Sequence, residues 1–85
     1  MKMITFYMSD NSKYKIRCLN DTAYSTVTEA IYGALNKDVG YVCVIKEECI
    51  EITFCDRYGN EKHVNCAILN LGQVTSIDNI KDIYR

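Results

Sequence analysis

The chain is expected to fold as an α+β domain, a small and mostly antiparallel sheet with one main helix packed on one of its faces. Three observations lead there. Apolar and polar residues alternate over 2–8 and 13–19, the two-residue period of a half-buried strand. The period changes once, at Val27, Ala30, Ile31, Ala34 and Leu35, to the spacing of an amphipathic helix. Apolar strand patterns then return over 41–46 and 49–55.

The elements follow in order. Ile4, Phe6 and Met8 share one face of the first strand, and Tyr14, Ile16 and Cys18 share one face of the second. Ser9-Asp10-Asn11-Ser12 between them is a turn cluster, so the two strands form an antiparallel hairpin. Asp21, Thr22 or Thr26 supplies the helix cap, and Thr26 with Glu29 has the spacing of a capping box. Asn36 to Gly40 ends the helix. Tyr41 to Lys46 is a continuous apolar run rich in β-branched residues, which suggests a central strand covered on both faces.

Over 49–55, Ile50, Ile52 and Phe54 point inward, while Cys49, Glu51, Thr53 and Cys55 point outward. Asp56-Arg57-Tyr58-Gly59 is a type I turn signal, with Gly59 suited to positive φ. The hairpin register it implies puts Ile50 and Ile52 on a face with Val64 and Cys66, and Ile68 extends that inner face. Gly72-Gln73 turns the chain toward a short strand over 74–77. Ile80, Ile83 and Tyr84 at helical spacing imply a short terminal helix over 78–85. The order is ββαβββ, with that short C-terminal strand and helix completing it. Its first half, hairpin then helix then strand, resembles the β-grasp arrangement of ubiquitin-like domains. The likeness is one of order over about half the chain and implies no function.

Eighty-five residues make one compact domain, 1–85. With 48% hydrophobic residues there is enough apolar material for a core. A formal net charge of −1 argues against a protein that holds nucleic acid by bulk charge. No apolar run reaches membrane-spanning length. Five cysteines, an odd number without a Cys-x-x-Cys pair, fit a reducing cytoplasm better than a disulfide framework.

Chemistry-bearing residues are few. Cys55 and His63 can lie opposite or diagonal on the solvent face, yet a zinc site needs three or four ligands. No catalytic, metal or cofactor site is expected from them. Lys13, Lys15 and Arg17 form a basic stripe on one strand face, fit for phosphates or an acidic protein surface. Glu47, Glu48, Glu51 and Asp56 are an acidic counterpart elsewhere. Seven tyrosines supply interface anchors. Tyr24 and Tyr32 lie on a helix face away from the apolar stripe, and Tyr58 stands at a hairpin tip.

Lys13, Lys15, Arg17, Tyr24, Tyr32 and Tyr58 are thus the expected partner-binding residues. The function expected is contact: a non-catalytic regulator or inhibitor of a larger protein or protein complex. Composition suits a phage or mobile-element protein antagonising a host defence system. The alternative is a homo-oligomeric nucleotide- or nucleic-acid-binding protein using the basic stripe. An enzyme centred on Cys55 and His63 ranks last.

Overall fold

The computed structural model describes residues 2–37, 39–46 and 51–78. Among these residues, seven strands and one helix make up the α+β fold: β1 Lys2–Met8, β2 Lys13–Cys18, α1 Asp21–Asn36, β3 Tyr41–Ile45, β4 Glu51–Cys55, β5 Glu61–Val64, β6 Cys66–Asn70 and β7 Val74–Asp78. A 3-10 turn, Leu71–Gln73, links the last two strands. Five strands form one antiparallel sheet in the order β5-β4-β2-β1-β7, and β3 with β6 forms a separate two-stranded ribbon.

Local chemistry fixes the turns. Between β1 and β2, the Asp10 carboxylate accepts from the Ser12 hydroxyl and from the Ser12 backbone N–H. The Ser12 hydroxyl bond, then the backbone bond, hold the Asp10 carboxyl below its ordinary range. Asn11 takes φ 69°, a left-handed conformation that asparagine tolerates. Between β4 and β5, Asp56 accepts from the backbone N–H of Tyr58 and of Asn60, and Gly59 stands at φ 90°.

The helix begins one residue before the caps expected from sequence. Asn20 is the cap, and its side chain accepts from Ala23 N–H at 2.9 Å. Asp21 is the first helical residue. The helix ends at Asn36 and is capped by Lys37, whose N–H donates to the Gly33 carbonyl.

Register assembles the core. Ile4, Ile16, Ile52 and Val64 stand in one row across β1, β2, β4 and β5. Phe6 pairs with Tyr14 on one side and Ile77 on the other. Val27, Ile31 and Ala34 of α1 and Val42, Val44, Ala67 and Leu69 of the ribbon complete a single core with this sheet face.

Three expectations need correction. The run at 41–46 is not covered on both faces: Val42 and Val44 are buried, but Tyr41, Cys43 and Ile45 are exposed. The segment after the Gly59 turn is not one strand. A bend at Asn65 ends the pairing with β4, and β6 pairs with β3 instead. The bend shifts the inward parity by one residue, so Ala67 and Leu69 face the core while Cys66 and Ile68 face outward. Lys46 N–H donates to the Asn65 carbonyl at 2.9 Å and anchors the switch. The strand after the helix also does not join the hairpin's sheet, as a β-grasp order would have it, and β7 takes the place beside β1. Cys49, Ile50 and the segment 79–85 with its expected helix lie outside the described residues.

Candidate functional site

Two surfaces stand out, one polar and one apolar. The polar one is the outer face of the five-stranded sheet, which no described element covers. Period-two alternation puts Thr5 and Tyr7 of β1, Lys13, Lys15 and Arg17 of β2, Glu51, Thr53 and Cys55 of β4, and Glu61 and His63 of β5 on this face. The basic stripe expected from sequence is therefore real in its geometry.

It does not stand alone. Strand pairing sets Glu51 opposite Arg17, and the two groups lie 3.5 Å apart. Lys15 reaches Glu61 at 3.0 Å, and Glu61 pairs opposite Cys55. Two of the three cations are thus matched by carboxylates on neighbouring strands. Lys13 has no ion pair among the described residues. A shallow depression of about 570 Å³, lined by Met3, Lys15, Arg17, Glu51, Glu61 and His63 among others, lies over this network.

Cys55 and His63 are diagonal, since His63 stands opposite Thr53. They do not act on each other. The Cys55 thiol donates to Glu61 at 3.2 Å, and His63 Nδ1 lies 3.3 Å from Glu51. Burial, then the bond to Glu61, pushes the Cys55 thiol up. The thiol bond is in turn the main cause that holds the Glu61 carboxyl below its ordinary range, ahead of Lys15. This arrangement keeps the thiol protonated, the opposite of what a nucleophile needs. The described residues contain no group of three or more metal-ligating side chains.

The expected tyrosines are scattered. Tyr24 is half-buried near the start of α1 with Lys2 Nζ 4.4 Å from its ring centre. Tyr32 is half-buried farther along the helix. Tyr58 is 75% exposed at the β4–β5 tip, with the Arg57 guanidinium 4.9 Å from its ring and donating to its hydroxyl. The helix packs on the inner side of the sheet and the basic stripe on the outer side. The six residues therefore do not form one surface.

The apolar surface is the outer face of the β3–β6 ribbon, which the sequence reading missed. Tyr41 pairs with Asn70, Cys43 with Ile68, and Ile45 with Cys66, and all six side chains point outward. Lys46 N–H to Asn65 and Leu71 N–H to Gly40 continue the same register at the two ends. Alternation between those bonds leaves the outward pairs at the non-hydrogen-bonded positions, where side chains approach most closely. Ile68 is 67% exposed and Tyr41 56%, and among the described residues none on this face carries a charged side chain. One signal was available: a strand covered on both faces needs cover on both sides, and Val27 to Leu35 is the one amphipathic stripe of several turns that the sequence offers. No helix among the described residues is long and apolar enough to cross a membrane. No protein-family model, no curated protein and no solved structure matches the chain.

Proposed function

We propose that this protein is a non-catalytic binding module, a small regulator or inhibitor that acts by contact with a larger protein or protein complex. The observation that carries the reading is the charge-free outer face of the β3–β6 ribbon. Exposed apolar side chains scattered singly are ordinary, whereas a contiguous apolar face marks an interaction surface. Tyr41 supplies a large amphipathic anchor and Ile68 an aliphatic one. The outer sheet face favours the same reading from the other side, because Lys15 and Arg17 of its stripe are matched by Glu61 and Glu51 and its Cys55 thiol is held protonated. An antagonist of a host defence system carried by a phage or mobile element is one concrete form of such a module.

The test is affinity capture with the tagged protein, using Ile68→Asp and Lys13→Gln as variants. A stoichiometric protein partner should be held by the wild type and by Lys13→Gln. Ile68→Asp should lower affinity about tenfold or more, since it forgoes about 1–2 kcal/mol of apolar burial and sets a charge against an apolar surface. Capture unaffected by Ile68→Asp would overturn the reading. Salt-sensitive binding to single-stranded nucleic acid by an oligomer, lost in Lys13→Gln, would instead favour the nucleic-acid alternative.

A further inference from the structure

Resting on that reading, we propose that Cys43 and Cys66 are a paired thiol-modification site that switches the apolar character of the ribbon face. Four cysteines are described, and Cys43 and Cys66 are free thiols. Cys18 and Cys55 are buried, while Cys43 and Cys66 are exposed. The exposed two are not scattered. Both lie on the outer ribbon face, one on each strand, between Tyr41, Ile45 and Ile68.

Register decides what their chemistry can be. Cys43 stands opposite Ile68 and Cys66 opposite Ile45, so the two thiols are diagonal. Diagonal neighbours on an antiparallel pair are about 7–8 Å apart, beyond the Cα separation a disulfide spans without backbone movement. Neither thiol can resolve the other into an internal bridge. Each therefore stops at the mixed-disulfide stage when it meets a small disulfide such as oxidised glutathione. In that exchange the Cys43 or Cys66 thiolate attacks one sulfur of glutathione disulfide. A protein–glutathione S–S bond forms, the glutathione S–S bond breaks, and glutathione thiolate leaves and takes up the proton the protein thiol released. The disulfide is the oxidant, so the electrons balance. The product places a charged, hydrated tripeptide on a face whose described residues carry no charge, which opposes burial of Tyr41, Ile45 and Ile68 against a partner.

The experiment treats native Cys49→Ser protein with oxidised glutathione and reads it by intact mass and by retention on a hydrophobic-interaction column. Two glutathionyl groups per chain are expected, with earlier elution that reductant reverses. Cys43→Ser and Cys66→Ser should each lose one adduct, and the double variant both. Adducts that survive the double variant, or unchanged retention despite two adducts, would overturn the proposal. Neither readout involves a partner, so the proposal can stand or fall apart from the docking reading. Capture with the modified protein then separates the two: a partner held equally by modified and unmodified protein removes the switch and leaves docking elsewhere.

Discussion

Gly33 stands near the end of α1, and beyond its own helix backbone no described heavy atom lies within 4 Å of where its Cβ would be. Glycine inside a helix costs about 0.5–1 kcal/mol relative to alanine. Gly33→Ala should therefore stabilise the protein by about that amount, read from the midpoint of urea denaturation. Gly59 answers differently to the same change. Its φ of 90° lies in the left-handed region, so Gly59→Ala should cost about 1 kcal/mol or more despite the open space around it. Glu61 supplies a pH signature. Its folded carboxyl is held low by the Cys55 thiol and Lys15, so its contribution is present above the unfolded carboxylate range and is lost as pH falls through the lower folded value. Stability should decline as pH drops below about 4, the ordinary glutamate range, and Glu61→Gln should flatten that decline. An unchanged acid limb in the variant would place the effect on Asp10 or Asp56, which are also held low. Gly59 was legible because Asp56-Arg57-Tyr58-Gly59 is a turn by composition. The nearness of Glu61 to Cys55 was legible too, from the hairpin register, whereas the open space at Gly33 was not, since it depends on neighbours set by packing.

At the scale of elements, the bend at Asn65 makes the sharpest prediction. Leu69 is fully buried and Ile68 is largely exposed. Leu69→Ala should cost about 2–5 kcal/mol, and Ile68→Ser no more than about 0.5 kcal/mol. The opposite ranking in denaturant titrations would mean that β6 keeps the parity of β5. The sequence reading expected that opposite ranking, and the reason it failed is physical. Alternation identifies the face of a strand only while the strand continues, and 61–71 carries no proline or adjacent glycines to announce a break. The hairpins were legible because turn chemistry and alternation agreed at both. So was α1, although Asn20 shows that the capping residue can stand one place ahead of the candidates.

For the molecule as a whole, pairing of β7 with β1 is the joint that ties the first described strand to the last. Tyr7 bonds Asp78 across 71 positions, and Phe6 meets Ile77. Which strand joins which cannot be read from periodicity, because the pattern of β7 fits any free edge, and this is why the α+β class was legible and the split into sheet and ribbon was not. Non-local pairing of this kind is slow to form, and refolding is expected on the millisecond-to-second scale, measured by stopped-flow. The chain contains no proline, so the slow isomerisation phase of minutes should be missing from that trace. The joint also has a mechanical consequence. β1 starts at Lys2 and β7 finishes at Asp78, which sits across from Thr5, so both outer ends emerge from the same side of the antiparallel pair. A force applied to those ends parts the backbone bonds one after another, as a zip opens, instead of loading them together. Under tension the molecule should yield first along this seam and at low force, however stable it is to heat or urea.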